Sequence, residues 1–230
     1  PEGKAVLDGD RLALVPDGNG GCFRALAQSG SLAWLVEKGV EYVFLYSVDN
    51  ALCRICDPAF IGALADNGMM ASASKVVHKA NAQERVGIFA FQNNKPGVVE
   101  YSDLPEEYRD MTNPDGSLVF DGGNLAIHLF KVSALRKLQT GKLPWHTARE
   151  TVCGIENCFK FEQFLFDAFP QLGTMLPFGV IREEEFSPVK NAEGTDSPKT
   201  ARTMIGKLHR EWLVKAHVEV KPGMLYEVSP

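Results

Sequence analysis

The chain has 230 residues and a formal net charge of −5, with 45% hydrophobic and 23% charged residues. Its length and composition are typical of a globular protein, and the acidic balance argues against binding nucleic acid or an anionic membrane through general charge attraction. No apolar run approaches the roughly 20 residues of a membrane span. Five cysteines, an odd number, favour reduced thiols in the cytoplasm over a disulfide framework.

Strand-like and helix-like segments alternate along the chain, which predicts an α/β fold with a mostly parallel, Rossmann-like sheet flanked by helices. The apolar run at residues 42–46 predicts a strand buried on both faces. The other strands are expected, in chain order, at residues 5–7, 12–15, 75–77, 86–89, 98–101, 125–130 and 178–182. Helices are expected at residues 22–38, 57–67, 132–138, 159–169 and 197–216, the last with Trp212 on its inner face.

The strongest local motif is Pro-Asp-Gly-Asn-Gly-Gly at residues 16–21. Glycines let the backbone approach a ligand closely, and the start of the following helix favours an anion or a nucleobase carbonyl. A plain strand-to-helix turn is the alternative. A calcium loop starting at Asp17 is disfavoured, because its twelfth position is Gln28 where a bidentate Glu is needed.

Asp49 follows the strand predicted at residues 42–46. Ligands of open α/β sheets lie beyond the carboxyl ends of the strands, so a carboxylate at this position is well placed to meet one. Mg²⁺ is usually held by one or two carboxylates together with substrate phosphates. Asp49 is therefore a candidate metal ligand, with a helix cap or a turn as the alternative.

Two lysines are further candidates. Lys190 lies in a loop after the strand-like segment at residues 178–182, where a lone lysine is ordinarily a solvated surface charge. Lys160 stands between Phe159 and Phe161, so it either snorkels at the start of a helix or reaches into a site.

Four cysteines form two spaced pairs, at residues 53–56 and 153–158, that could supply four zinc ligands. The wide second pair favours buried structural thiols instead. His128 and His146 stand in apolar surroundings and are interpreted as hydrogen-bonded core histidines.

Several motifs in register resemble one family, the eukaryotic-type UDP-N-acetylglucosamine pyrophosphorylases. They lie at residues 14–21, 48–50, 99–102, 123–125, 159–162, 185–192 and 197–202. The Pro-Asp-Gly-Asn-Gly-Gly motif and the Phe-Ser-Pro-x-Lys-Asn motif at residues 186–191 are similar to the N-acetylhexosamine branch. The resemblance spans nearly the whole chain.

The resemblance implies specific roles. The expected substrate-binding residues are Gly18 at the uracil, Asn19 at the nucleotide-sugar, Glu100 at the sugar hydroxyls beside Tyr101, Asn124 at the N-acetylated sugar, and Gly87. The expected catalytic residues are Lys160 at the UTP phosphates, Lys190 at the sugar phosphate, and Asp49 at the phosphates and Mg²⁺.

The implied activity is uridylyl transfer, in which UTP and N-acetylglucosamine 1-phosphate give UDP-N-acetylglucosamine and pyrophosphate. Residues 1–230 are then expected to be one catalytic domain fragment, inactive by itself, since the family's glycine-rich phosphate loop is expected upstream. An N-terminus without Met and residues 226–230, which read like the middle of an element, agree with a piece of a longer protein. The alternatives are a broader UDP-sugar or UDP-glucose pyrophosphorylase, or a non-catalytic module that binds nucleotide-sugars.

Overall fold

A computed structural model of the chain describes residues 3–221 and 223–228. The expectations for the two chain ends fall in part on Pro1, Glu2, Ser229 and Pro230, which lie outside the described residues. The described residues form two compact units. The first unit comprises the residues up to Val43 together with Phe91–Val98 and Lys131–Thr174, and the second comprises Phe44–Ala90, Val99–Phe130 and the residues from Met175 onwards.

The elements alternate as the α/β prediction requires. The strands are β1 (Leu7–Asp8), β2 (Arg11–Leu12), β3 (Tyr42–Tyr46), β4 (Ser72–His78), β5 (Ile88–Gln92), β6 (Lys95–Val99), β7 (Gly122–Lys131), β8 (His146–Val152), β9 (Ile155–Glu162) and β10 (Met175–Gly179). The helices are α1 (Gly21–Gln28), α2 (Ser31–Glu37), α3 (Pro58–Asp66), α4 (Glu106–Arg109), α5 (Val132–Leu135), α6 (Phe169–Leu172), α7 (Arg182–Glu185) and α8 (Pro198–Lys215).

The main sheet is mixed, so the predicted parallel character is only partly present. Its order is β10-β4-β7-β5-β6, and β3 also pairs with β7. Strand β10 is parallel to β4, whereas β7 runs antiparallel to both β4 and β5. Strand β3 is only half-buried and has no fully buried side chain, so the prediction of burial on both faces was wrong.

Two predicted helices differ from the structure. The helix expected at residues 22–38 is two helices, α1 and α2, separated at Gly30, which has a φ of 79°. The helix expected at residues 159–169 is replaced by the end of β9 and a 3₁₀ turn at Leu165–Ala168. In α8 the buried residues are Ala201, Gly206 and Leu208, while Trp212 is exposed and contradicts its predicted inward position.

The second unit contains a buried charged cluster. Nζ of Lys75 lies 2.8 Å from Oδ2 of Asp57 and 2.7 Å from Oε1 of Glu185, and the Lys75 side chain is fully buried. Asp57 also caps α3 through the N–H of Ala59. Burial raises the pKa of the Asp57 carboxyl, but the hydrogen bond and charge of Lys75 and the backbone N–H groups outweigh it, so its pKa lies below the ordinary value.

The histidine prediction is confirmed for His128, which is buried beside Oγ of Ser74 at 2.9 Å. Burial lowers the pKa of His128 to about 3, so the ring is neutral at pH 7. His146 is only half-buried, and its Nε2 lies 3.0 Å from Asp167.

All five cysteines are free thiols, and the prediction of buried thiols was wrong for Cys56 and Cys153, which are exposed. Burial raises the pKa of both Cys22 and Cys53 to about 11, so these two thiols stay protonated at neutral pH. Among the residues that the structure describes, no helix is both long and apolar enough to cross a lipid bilayer.

Candidate functional site

In the first unit, the glycine-rich loop at residues 17–21 lies against the main chain of Gln163. The Gln163 N–H donates to the carbonyl of Asp17 at 2.8 Å, and its carbonyl accepts the Gly20 N–H at 2.8 Å. Gly18 has a φ of 84°, a left-handed conformation that favours glycine, and a Cβ there would collide with the Gln163 carbonyl. The glycines of this loop are therefore required by its close packing against the main chain of Gln163.

Side chains reinforce this packing. The Arg24 guanidinium contacts the Asp17 carboxylate and donates to Oε1 of Gln163 at 3.4 Å. Oδ1 of Asn19 accepts the Leu165 N–H at 2.9 Å. This bond uses one of the two lone pairs of Oδ1, so the second lone pair and the amide NH₂ group of Asn19 remain for a ligand.

We expect Gly20→Ala to destabilise the first unit. The φ of Gly20 is −66°, which any residue adopts, so the effect is steric: an added Cβ would lie 2.7 Å from the Gln163 carbonyl carbon. Forcing a methyl group into such a packed contact costs about 1–3 kcal/mol. Urea denaturation measures the loss.

Gly141→Ala is the matched control, because a Cβ at Gly141 meets nothing within 4 Å. We expect the control to stay within about 0.5 kcal/mol of the unsubstituted protein. Equal stability of the two variants would contradict close packing of the loop.

Lys160 lies on β9, not at a helix start as one interpretation of the sequence expected. Its Nζ lies 2.9 Å from Oε1 of Glu162 and 3.2 Å from Oε1 of Glu150. Hydrogen bonds to Glu162 and then Glu150 raise the pKa of Lys160, so the ammonium is charged at neutral pH. The side chain is 12% exposed and is already paired with two carboxylates.

In the second unit, Asp49 follows β3, as the sequence predicted for a residue just beyond a strand end. Its Oδ1 accepts the Ser47 hydroxyl at 2.5 Å, and the residue is only partly buried. A partly exposed carboxylate at this position supplies the hard oxygen donors that Mg²⁺ takes.

The residue before Lys190 in the chain forms a backbone hydrogen bond with Asp49. The Val189 N–H donates to the Asp49 carbonyl at 2.9 Å, so the main chains beside Asp49 and Lys190 meet. The Lys190 side chain is exposed, and its own N–H donates to the Asp196 carbonyl at 2.7 Å. The structure thus brings together a predicted anionic residue and a predicted cationic one.

The remaining predicted residues also belong to the second unit. The Asn124 N–H donates to the Gly87 carbonyl at 2.8 Å, and Oδ1 of Asn124 accepts the Ala126 N–H at 3.0 Å. The Glu100 carbonyl accepts the N–H of Asp103, which forms a turn with Tyr101 exposed inside it. Gly87 and Asn124 are thus neighbours, although they are 37 positions apart in the sequence.

Sequence reasoning assigned no role to Gln163, Arg24 or Asn50, which hold these loops in place. Gln163 is nearly fully buried, with Nε2 donating to the Leu143 carbonyl at 3.0 Å. The period-2 alternation of Cys158, Phe159, Lys160, Phe161 and Glu162 was the available signal, because it marks the strand that leads to Gln163.

Comparison with known proteins identifies similar sequences and folds. Residues 4–200 match the family profile described as UTP--glucose-1-phosphate uridylyltransferase. The UDP-N-acetylglucosamine diphosphorylase 1 of Arabidopsis thaliana is 39% identical over 228 residues, which cover 94% of this chain and 45% of the relative. The chain thus spans about half the length of that relative.

Solved structures with similar folds are also found. The uridine diphosphate N-acetylglucosamine pyrophosphorylase from Trypanosoma brucei has a TM-score of 0.80 and 28% identity, covering 91% of this chain and 45% of that one. A UDP-glucose phosphorylase from Trypanosoma brucei has a TM-score of 0.62 and 20% identity, covering 76% of this chain and 39% of that one. The second likeness shows a shared fold only.

Proposed function

This chain belongs to the UTP--glucose-1-phosphate uridylyltransferase family. We propose that it is the part of an enzyme making UDP-N-acetylglucosamine that binds the nucleotide-sugar. The substrates would be UTP and N-acetylglucosamine 1-phosphate, and the second product pyrophosphate. The observation that carries the proposal is the backbone pairing that links Asp49 with the residue before Lys190. Two elements far apart in the chain thereby bring a metal-binding type of residue beside a phosphate-binding type.

An N-acetylated sugar is the better substrate candidate than glucose. Similarity to the relatives whose names include N-acetylglucosamine is at 28–39% identity, against 20% for the UDP-glucose enzyme. Asn124 supports this choice, because its amide NH₂ group could donate to an acetamido carbonyl while Oδ1 is bound to the Ala126 N–H.

The proposed reaction is an in-line displacement. A phosphate oxygen of the sugar 1-phosphate attacks the α-phosphorus of UTP, and the bond from that phosphorus to the pyrophosphate oxygen breaks. The second pKa of a phosphate monoester is near 6, so the attacking group is ionised at pH 7 and needs no general base. Catalysis then consists of positioning two anions and offsetting their repulsion, a task suited to cationic groups such as Lys190.

Mg²⁺ is the proposed cofactor, with Asp49 as its protein ligand. When bound, it would neutralise charge on the phosphates. The Asp49 carboxylate fits this role because Mg²⁺ takes oxygen donors and usually binds one or two carboxylates in addition to substrate phosphates. The five free thiols suit a reducing compartment, so we place the reaction in the cytoplasm.

Lys160 would contact the UTP phosphates by exchanging partners. Its ammonium is paired with Glu150 and Glu162, so a triphosphate must compete with both carboxylates. Lys160, Glu150 and Glu162 together carry a net charge of −1, which repels an approaching anion. The Lys160 ammonium can attract the phosphates only when it leaves the two glutamates to meet them. We therefore propose that phosphate binding at this position involves a rearranged Lys160.

Lys190→Ala tests the proposed function. We expect turnover to fall at least about tenfold, because the developing charge on the phosphates loses a positioned cation. The assay measures pyrophosphate release from UTP and Mg²⁺, using the protein as its gene encodes it. N-acetylglucosamine, N-acetylgalactosamine and glucose 1-phosphates are compared in parallel.

The matched control is Lys207→Ala, since Lys207 is an exposed lysine of α8 in the same unit. The control should retain full turnover. Near-normal turnover of Lys190→Ala would contradict the role of Lys190. Failure of the unsubstituted protein with every sugar would contradict catalysis and favour a nucleotide-sugar-binding role.

A further inference from the structure

The segment at residues 185–189 is tied to residues 49–51 by a short ladder inside the second unit. The Ala51 N–H donates to the Ser187 carbonyl at 3.1 Å, and Asn50 forms an antiparallel bridge with Pro188. Together with the bond between Val189 and Asp49 described above, these contacts fix the register between the two segments. Asp49 is one end of this ladder, and the chain continues from its other strand directly into Lys190.

The side chain of Asn50 reinforces the ladder. Its Nδ2 donates to the Glu185 carbonyl at 2.7 Å, and its Oδ1 accepts the N–H groups of Ser187 at 2.9 Å and Leu52 at 3.3 Å. We call these three bonds the Asn50 staple. Asn50 is only 5% exposed, so water cannot readily replace them.

The far side of the staple is anchored in the buried charged cluster. Glu185, whose carbonyl accepts from Asn50, extends its carboxylate to Lys75 of β4. Lys75 in turn binds Asp57 at the start of α3. The staple is therefore connected to a strand and a helix of the core, and it cannot shift without disturbing a buried ion pair.

The loop that follows the ladder, at residues 190–196, is also held by backbone hydrogen bonds. The N–H groups of Lys190 and Asn191 both donate to the Asp196 carbonyl, at 2.7 and 2.9 Å. Asp196 has a φ of 50° and precedes Ser197, which caps α8 by accepting the Thr200 N–H. The backbone of Lys190 is thus held on both sides.

We propose that Asn50 is a positioning residue, which sets the Asp49 carboxylate and the Lys190 ammonium relative to each other through the staple. This inference rests on the proposed function, because both groups act on the phosphates there. A purely structural role would predict that loss of the staple lowers stability and leaves the two groups in place in the molecules that remain folded.

The test is a double-mutant cycle in the protein as its gene encodes it, assayed as uridylyl transfer at saturating substrate. We expect Asn50→Ala to lower turnover at least about tenfold. In the Lys190→Ala background the same change should cost less than about threefold, because Lys190 is no longer there to be misplaced. Hydrogen exchange of the Ser187 amide and of the amides at residues 189–191 should become faster in Asn50→Ala.

Ser74→Ala is the matched control, since it breaks a buried polar pair with His128 in the same unit. It should lower stability while turnover and the exchange of these amides stay unchanged. An Asn50→Ala enzyme with full turnover, or equal losses in both backgrounds of the cycle, would overturn the inference alone. An unsubstituted protein without transfer activity would overturn the proposed function and the inference with it.

Discussion

If the proposed function holds, Asp49→Asn is expected to lower uridylyl transfer by about 100-fold or more. The substitution is isosteric, so the hydrogen bond from Ser47 and the backbone bond from Val189 can both persist. What is lost is the negative charge that would hold Mg²⁺ against the substrate phosphates. Steady-state kinetics across a Mg²⁺ titration measure both the turnover and the half-saturating metal concentration.

Asp66→Asn is the control, because Asp66 is an exposed aspartate at the end of α3 in the same unit. It should match the unsubstituted protein in both measurements. Thermal unfolding of Asp49→Asn should also be unchanged, which separates lost chemistry from lost structure. An Asp49→Asn enzyme with normal turnover and an unchanged Mg²⁺ requirement would rule out Asp49 as the metal ligand.

Lys75→Met is expected to destabilise the second unit by about 3–5 kcal/mol. The substitution removes the only cation within 3 Å of the carboxylates of Asp57 and Glu185, as far as the described residues show. Within those residues Oε2 of Glu185 already has no hydrogen-bond partner, so a further loss leaves this carboxylate more poorly solvated. Because a domain is ordinarily stable by about 5–15 kcal/mol, a large part of the folding free energy is at stake.

Urea denaturation provides the measurement, with Lys207→Met as the exposed control. The triple variant Asp57→Asn, Lys75→Met, Glu185→Gln should regain most of the loss, since no uncompensated buried charge remains. A Lys75→Met protein as stable as the control would show that the cluster contributes little. A triple variant no more stable than Lys75→Met would show that the loss arises from packing and not from charge.

The sequence predicted the α/β class and most of the strands, because apolar periodicity and caps are local signals. Asp57 followed by Pro58 identified the start of α3, and Ser197 followed by Pro198 identified α8, each within a residue or two. Strand direction is different, because it depends on which strands become neighbours. Nothing local to residues 122–131 shows that β7 runs antiparallel to β4.

The error at residues 159–169 has a physical cause in contacts distant along the chain. Phe161, Phe164 and Leu165 are spaced as on a helix, yet the Gln163 N–H and carbonyl bind Asp17 and Gly20. Those are the backbone groups that a helix would have used. Contacts with Gly20, 143 positions away, and Asp17, 146 positions away, thus override the local pattern.

The candidate site, like the fold, was only partly predictable from the sequence. Asp49 stands out by its position after a strand, whereas the resemblance to a family indicated Lys190, Gly18, Asn19 and Lys160. The residues that hold them were not predictable, because Lys75 is bound to partners 18 and 110 positions away. A lysine within a strand gives no indication that it will be fully buried.

The close packing of the glycine-rich loop has a consequence for how this sequence can diverge. Gly18 and Gly20 meet Gln163 through its main-chain N–H and carbonyl, which every residue except proline possesses. Position 163 can therefore change its side chain over evolutionary time and still accept the loop, at the cost of its bonds to Arg24 and Leu143. Positions 18 and 20 have no such latitude, because any side chain there occupies the space of the backbone opposite. Among related sequences, position 163 should therefore vary more than positions 18 and 20.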